Sequence, residues 1–403
     1  MRKVFFDHIS TTPLHRDVRE AIIPFYEEYY GNPSSHIHEQ GQHALRAIDG
    51  AREKVAGLIH ATPEEVVFTS GATECNNLAI KGVARAMKNR GKHLIVSEVE
   101  HFSVLNALIP IINEGYEVTY LKVDRFGLIN VEELKREIRD ETVLISVMHA
   151  NSEIGTIMPV EEIGAIARER NVCFHCDATA TVGHIPVNVE KIGADLLTVS
   201  AHNFYGPKGV GALFIRRGTQ IEPLFDGGFQ EHGQRAGTEN VPGIVGLGKA
   251  AEIALVEMEE DARRVRSLEN QLRDGLMNRI EHIHFTGHPT NRLPGHVSFW
   301  VEFAEGESLL IYLNIHGVMA ASGSACSSNL KALDEEDLVA SHVLKAIGVP
   351  SDICTGSITF SMGKWNTSAE VDYVLEIMPG IVQKLWEMSP SYSDYLKSQV
   401  ARR

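Results

Sequence analysis

The feature that most constrains the fold is an alternation of short β-rich runs with helical or polar stretches between about residues 43 and 217. Strands that alternate with helices predict βαβ units and a mostly parallel sheet that is covered on both faces. Runs such as Val143–His149 are apolar almost throughout, as expected for strands buried on two sides. The predicted strands are Val66–Ser70, His93–Ser97, Glu117–Leu121, Val143–His149, Val172–Asp177, Leu196–Ser200 and Gly211–Ile215.

The pattern changes after about residue 245, where a long helical stretch over Lys249–Ile280 begins. Predicted strands at His296–Val301 and Ile358–Ser361 follow, and the last helical signal covers Ala369–Met388. We therefore predict an α/β protein with two domains. The larger one covers residues 15–250, and a smaller α+β domain combines residues 1–14 with residues 251–403 and carries the loop around Cys326.

Charge and hydropathy exclude several classes of protein. The chain has 38 Lys and Arg against 53 Asp and Glu, a net charge of −15, which argues against nonspecific nucleic-acid binding. No apolar run approaches the roughly 18 residues of a membrane-spanning helix. The first residues are charged but lack the apolar core of a signal peptide, so we expect a cytoplasmic protein without a membrane partner.

Polar residues stand where several of the predicted strands end. Ser70, Asn151, Asp177 and Ser200 lie at strand ends, and His101 follows its strand by a few residues. Ligands of open α/β sheets bind beyond the carboxyl ends of the strands. The sequence therefore predicts one shared site for a polar ligand.

Two turns at these strand ends have simpler alternatives. Ser70–Thr73 joins a strand to a helix, and its small residues would let backbone N–H groups approach an anion. Ser or Thr before a helix is, however, most often only an N-cap. The segment Gly206–Gly209 is interpreted as a turn, and Lys208 as part of that turn.

The five cysteines do not form a disulfide framework in a chain of 403 residues, so we expect reduced thiols. Cys173 and Cys176 are three residues apart in a strand and point to opposite faces, which argues against a shared metal. We expect both to be buried, together with Cys75 and Cys354. Cys326 differs, because the small residues around it would allow an exposed thiolate nucleophile.

Segments distributed along nearly the whole chain carry a resemblance to a known family. They are Phe6–Pro13, Gly31–Ser35, Thr69–Glu74, Glu98–His101, Asn151–Gly155, Asp177–Thr179, Ser200–Gly209, Gly233–Thr238 and Ser322–Cys326. In these segments the chain resembles the cysteine desulfurases of iron–sulfur cluster assembly, which belong to the class V aminotransferases. The resemblance implies a large domain of pyridoxal phosphate (PLP) fold type I, with a mostly parallel seven-stranded sheet, and a smaller α+β C-terminal domain.

The resemblance also implies a role for individual residues. Asp177 would pair with the pyridine nitrogen of PLP, His101 would stack on the ring, and Asn151 would reach its phenolic oxygen. The phosphate would be held by Ala72, Thr73, Ser200 and His202. Thr238 would reach the phosphate of a neighbouring subunit, which implies a homodimer.

The resemblance further implies that Cys326 is catalytic. Its thiol would take the sulfur of PLP-bound L-cysteine as a persulfide and leave alanine. The acidic loop from Asn329 to Ala340 would let Cys326 pass the sulfur to an iron–sulfur scaffold or another acceptor protein. His101, or alternatively Lys208, would serve as a base.

The chain departs from the family pattern at residues that matter for this chemistry. The position of the Schiff-base lysine holds Asn203, and an amide cannot form an imine with PLP. PLP is therefore expected to bind non-covalently. Ala180, Thr359 and Lys364 replace a glutamine and two arginines, which weakens the expected recognition of a substrate carboxylate. A Lys→Asn change introduced by engineering is an alternative that these further changes disfavour.

Two main functions follow. The chain is either a desulfurase-like protein that transfers sulfur through Cys326 with impaired or atypical PLP chemistry, or a non-catalytic partner. In the second case Cys326 would ligate a metal cluster shared with a docked scaffold protein. Another PLP-dependent reaction, such as that of a lyase, is disfavoured because it would also need the missing lysine.

Overall fold

A computed structural model describes residues 2–322, 341–350 and 357–401 of the chain. Its strands are β1 (Val4–Phe5), β2 (Val66–Thr69), β3 (His93–Ser97), β4 (Glu117–Leu121), β5 (Thr142–Ser146), β6 (Cys173–Asp177), β7 (Leu196–Ser200), β8 (Gly211–Ile215), β9 (Ile283–Phe285), β10 (His296–Val301), β11 (Val318–Met319) and β12 (Ile358–Ser361). Its α-helices are α1 (Arg16–Ile22), α2 (Pro24–Glu27), α3 (Glu39–Ile59), α4 (Ala72–Asn77), α5 (Val83–Ala86), α6 (Phe102–Asn113), α7 (Val131–Glu137), α8 (Val160–Glu169), α9 (Val189–Ile192), α10 (Val241–Arg279), α11 (Gly306–Ile315), α12 (His342–Ala346), α13 (Ser368–Met388) and α14 (Pro390–Ala401).

The predicted α/β class and the mostly parallel sheet are confirmed. The large sheet has seven strands in the order β2-β8-β7-β6-β5-β3-β4. Strand β8 runs antiparallel to both of its neighbours, and the other pairs are parallel. All seven correspond to the strands predicted from the sequence, with small differences at some ends.

Helices cover the two faces of this sheet because each presents an apolar stripe to it. Helix α8, for example, places Val160, Ile163, Ile166 and Ala167 at helical spacing and buries them in the core that contains Phe174 of β6. A second core on the opposite face contains Leu94 and Leu144. A parallel sheet buried in this way leaves its carboxyl edge as the place for polar side chains.

A three-stranded antiparallel sheet, β12-β10-β9, forms the second part of the fold. Its core includes α13 and the second half of α10, whose first half packs in the core of the large sheet. Strand β1 pairs with β11, and the ring of Phe6 lies 5.8 Å from that of Phe360, so the first residues pack with the smaller sheet. The domain boundaries at residues 14 and 250 stay predictions, and α10 runs across the second of them.

The described cysteines behave as the sequence predicts. Cys75, Cys173 and Cys176 are buried free thiols. Cys173 and Cys176 pack in cores on opposite faces of the large sheet, as expected for residues three apart in a strand. Cys326 and Cys354 lie outside the described residues.

None of the helices in the described ranges combines the length and the apolar character needed to cross a bilayer.

Candidate active site

A cavity of about 590 Å³ opens at the carboxyl ends of the large sheet's strands. This volume is within the usual range for small-molecule sites. The cavity brings together the predicted residues Ala72, Thr73, His101, Asn151, Asp177, Ser200, His202 and Asn203. The polar strand ends singled out in the sequence therefore do meet at one place.

One end of the cavity is suited to an anion. Gly71 has φ +150°, a conformation that favours glycine, and it turns the chain from β2 into α4. Glu74 fixes this turn by accepting hydrogen bonds from the Ser70 N–H (2.8 Å) and from Arg235 Nε (2.9 Å). The hydroxyl oxygen of Ser200 is buried and has no hydrogen-bond partner among the described residues. A phosphate would supply that partner.

His202 and Lys208 line the same end of the cavity. Burial, together with the positive charge of Lys208, lowers the pKa of His202. Its Nδ1 lies 3.2 Å from the hydroxyl of Thr11. A bound anion would oppose the effect of Lys208 and favour the charged form of His202.

Asp177 ends β6 near the middle of the cavity and is 6% exposed. Its Oδ2 accepts a hydrogen bond from Asn76 Nδ2 (2.7 Å), and its Oδ1 accepts one from the Thr179 N–H (3.0 Å). Both carboxylate oxygens are thus held, so the carboxylate has a defined orientation at the cavity wall.

Asn151 and His101 are already engaged in local structure. Asn151 Oδ1 accepts from the N–H groups of Glu153 and Ile154, and its Nδ2 donates to the carbonyl of Val99 (3.0 Å). His101 caps α6 by accepting the Ser103 N–H at Nδ1 (3.1 Å). The two residues therefore shape the cavity wall, and their predicted contacts with a ring stay predictions.

Asn203 occupies the cavity position that the sequence assigned to a covalent anchor. It is 6% exposed, and its Nδ2 donates to the carbonyl of Ile9 (3.2 Å). Its Oδ1 is buried without a hydrogen-bond partner among the described residues. The side chain therefore offers the cavity an acceptor and no amine.

Sequence reasoning missed two carboxylic acids that line the cavity, Glu100 and Glu153. Glu100 is fully buried, accepts the Met148 N–H at Oε1 (2.8 Å), and leaves Oε2 without a partner among the described residues. Burial raises its pKa well above the usual range. Burial also raises the pKa of Glu153 to about 8, against the opposing hydrogen bond donated by the Ser341 hydroxyl. Both lie in segments that carry the family resemblance, Glu98–His101 and Asn151–Gly155. Nothing in the sequence indicated that either side chain would be withdrawn from solvent.

The three other departures from the family pattern lie in different places. Ala180 and Thr359 line the cavity, and the Thr359 hydroxyl donates to the carbonyl of Glu153 (3.0 Å). Lys364 instead forms an ion pair with Glu257 and lines a separate small cavity. Of the three changes, only those at Ala180 and Thr359 can affect a ligand in the large cavity directly.

Thr238 lines a neighbouring cavity of about 200 Å³, which shares Ser70 and Gly209 with the large one. The preceding turn is anchored by Glu231, which accepts two hydrogen bonds of 2.8 Å from the Arg52 guanidinium. In a single chain, Thr238 is therefore absent from the lining of the large cavity. Its role toward a neighbouring subunit stays a prediction.

Known proteins resemble this chain over most of its length. The class V aminotransferase family matches residues 4–374. A cysteine desulfurase, IscS, of Dictyoglomus turgidum is 49% identical over 96% of this chain and 97% of its own length. The chain belongs to the cysteine desulfurase family. An IscS of Methanosarcina thermophila is 50% identical over 96% of this chain and 94% of its own length.

Solved structures of cysteine desulfurase-like proteins share the fold. A NifS-like protein superposes with a TM-score of 0.87 and 38% identity, covering 95% of this chain and 100% of its own. SspA in complex with cysteine gives a TM-score of 0.77 at 33% identity, over 91% of this chain and 100% of its own. The predicted fold type is therefore confirmed.

Cysteine desulfurases depend on PLP, and the cavity fits this cofactor. The unpartnered Ser200 hydroxyl and the turn at Gly71 suit a phosphate, and the held carboxylate of Asp177 suits a pyridine nitrogen. Position 203, where the family resemblance predicts the covalent anchor, is an asparagine.

The described residues contain no group of three or more His, Cys, Asp or Glu side chains placed to hold a metal ion. The suggested cluster ligand, Cys326, lies outside the described residues.

Proposed function

We propose that this chain transfers sulfur from L-cysteine, through a persulfide on Cys326, to a scaffold protein for iron–sulfur cluster assembly or to another acceptor. It does so as a cytoplasmic homodimer with non-covalently bound PLP. The observation that carries the proposal is the cavity in which seven of the eight predicted cofactor-binding residues meet, together with Asn203 at the predicted anchor position. The identity of nearly half of all positions to proteins named cysteine desulfurase supports it.

The described residues would hold PLP at three points. Ala72, Thr73, Ser200 and His202 would hold its phosphate, Asp177 would pair with its ring nitrogen, and His101 would stand beside its ring. When bound, PLP supplies an electron sink for the bonds of the substrate's α-carbon. Lys208 and His101 are the bases available to move the substrate's α-proton.

The sulfur step belongs to Cys326. Its thiolate forms an S–S bond with the substrate sulfur, and the C–S bond of cysteine breaks. The carbon fragment takes up a proton and leaves as alanine, so no external oxidant or reductant is needed. Asn203 can neither anchor the cofactor nor carry the proton, and we expect slow turnover for that reason.

A second candidate is a non-catalytic docking partner, which the amide side chain at the predicted anchor position 203 favours. Here Cys326 would ligate a metal cluster carried by a bound scaffold protein. The two candidates differ in whether Cys326 gains sulfur from cysteine.

The test measures the alanine that the PLP-loaded protein forms from L-cysteine, and the sulfide that an added thiol reductant releases from the persulfide. We expect Cys326→Ala to abolish both products and the 32-dalton mass increase of a persulfide, because the three cysteines in the described ranges are all buried. The matched control Cys173→Ala removes a buried thiol at the start of β6, whereas Asp177 lies at its end in the cavity. It should leave the sulfide, the alanine and the persulfide unchanged.

The opposite results are equally informative. Absence of turnover and of a persulfide on Cys326 would contradict the enzymatic proposal. Iron that co-purifies with a scaffold protein only while Cys326 is intact would then favour the docking partner.

A further inference from the structure

A buried network of hydrogen bonds lies behind the cavity and ends on two of its lining residues. At its centre is Asn76, which is fully buried near the end of α4. Asn76 Nδ2 donates to Asp177 Oδ2 (2.7 Å) and to Ser103 Oγ (2.8 Å). Ser103 in turn contacts His101, with its Oγ 2.8 Å and its N–H 3.1 Å from His101 Nδ1. One side-chain amide therefore reaches both Asp177 and His101.

The orientation of the Asn76 amide follows from its partners. A carboxylate oxygen only accepts hydrogen bonds, so the NH₂ group must face Asp177. Asn76 Oδ1 then accepts from the hydroxyl of Thr198 (2.7 Å). Each polar atom of the amide has a partner, and an apolar replacement of Asn76 would leave several buried groups without one.

The network continues to a buried histidine whose protonation is also determined. Because the Thr198 hydroxyl donates to Asn76, it must accept from His175 Nε2 (3.0 Å). His175 Nδ1 then accepts from the Ser146 hydroxyl (2.8 Å). Burial lowers the pKa of His175 to about 4, although the nearby charge of Asp177 raises it. The histidine is therefore neutral near pH 7, and the donor directions along the network do not change there.

This network joins five separate elements of the fold. Its buried members come from α4, α6, β5, β6 and β7, and they are Asn76, Ser103, Ser146, His175, Asp177 and Thr198. With His175 neutral, the network adds no charge beside Asp177. Asn76 donates a hydrogen bond to Oδ2 of Asp177, and the Thr179 N–H donates one to Oδ1, so both carboxylate oxygens are fixed.

We propose that Asn76 is a positioning residue, whose buried amide holds the carboxylate of Asp177 and, through Ser103, the imidazole of His101 in the geometry that receives the pyridine ring. The inference rests on the proposed binding of PLP and extends it to a residue that does not line the cavity. Asn76 acts through the two residues that it holds.

The test replaces Asn76 by leucine, which has a similar volume and no polar atoms. We expect Asn76→Leu to weaken PLP binding about 10- to 100-fold, as loss of a hydrogen bond to a charged group does. With PLP labelled by ¹⁵N in the ring, we also expect the nitrogen signal to move toward the unprotonated form. That shift reports the Asp177 contact and would not follow from lower stability alone.

Two further variants separate the branches of the network. Ser103→Ala should change the ¹⁵N signals of the His101 ring and leave the pyridine signal in place. Tyr116→Phe removes a different buried hydrogen bond, from the Tyr116 hydroxyl to the carbonyl of Ala84 (2.7 Å), and should move neither signal. If Asn76→Leu does not fold, Thr198→Val should shift the pyridine signal in the same direction by a smaller amount.

The outcomes distinguish this proposal from the proposed function. Unchanged PLP affinity and pyridine signal in Asn76→Leu would overturn the role of Asn76 while PLP binding stands. If the unaltered protein binds no PLP, the proposed function fails. In that case the role of Asn76 is tested without PLP, by comparing the ¹³C signal of the Asp177 carboxylate and the ring signals of His101 in the unaltered protein and in Asn76→Leu. If these signals do not change, the inference is overturned.

Discussion

Asn203→Lys is expected to convert this protein into one that holds PLP covalently and turns over L-cysteine about 10²- to 10⁴-fold faster. Position 203 lines the cavity and is 6% exposed, so a lysine there would project its amine among the cofactor-site residues. Burial lowers the pKa of a lysine and leaves more of it as the neutral nucleophile. The same amine can carry the α-proton, which the amide of Asn203 cannot.

Two measurements check this expectation. Borohydride reduction of the PLP-loaded variant should add the mass of one phosphopyridoxyl group to the chain, and sulfide release should rise in parallel. The control Asn203→Gln lengthens the side chain without adding an amine and should show neither effect. Covalent PLP in the unaltered protein would contradict the argument, because it would mean that another lysine binds the cofactor covalently. Lys208, which lines the cavity, would be the first to examine.

The sheet could be predicted from the sequence because its strands are short, apolar and separated by helical patterns. His296–Val301 and Ile358–Ser361 were predicted with the bounds that the structure has. The predicted helix started at Lys249, whereas helix α10 begins at Val241. The sequence pattern missed these first turns because their Gly and Val residues lack the polar face that marks a surface helix. Polar strand ends located the cavity because carboxyl ends of parallel strands meet at one edge.

Burial of polar groups could not be predicted in the same way. Asn76, Glu100 and Glu153 are ordinary polar residues in the sequence. Only the tertiary structure shows that Asn76 and Glu100 are fully buried and that Glu153 is half-buried with a raised pKa. Lys364 was expected to bear on substrate recognition, yet its ion pair with Glu257 places it outside the cavity. Which side of a chain segment faces a cavity is decided by contacts between elements far apart in sequence.

The second large effect concerns Glu153 and the dependence of stability on pH. Its pKa is raised by burial from 4.5 to about 8, so the folded protein binds a proton that the unfolded chain releases between these values. The folded state therefore loses stability as pH rises from about 4.5 to 8, by about 1.4 kcal/mol per pH unit for this group. Glu153→Gln keeps an uncharged side chain of the same shape and still accepts the Ser341 hydroxyl.

We therefore expect Glu153→Gln to be increasingly more stable than the unaltered protein as pH rises, by up to about 5 kcal/mol near pH 8. Urea unfolding at pH 5.5, 6.5 and 7.5 measures the difference. The control Glu161→Gln, at an exposed position in α8, should shift stability little and equally at each pH. A constant difference for Glu153→Gln would mean that Glu153 is ionised in the folded protein. The cavity wall near Thr359 would then carry a charge that repels a substrate carboxylate, whereas a protonated Glu153 can donate a hydrogen bond to one.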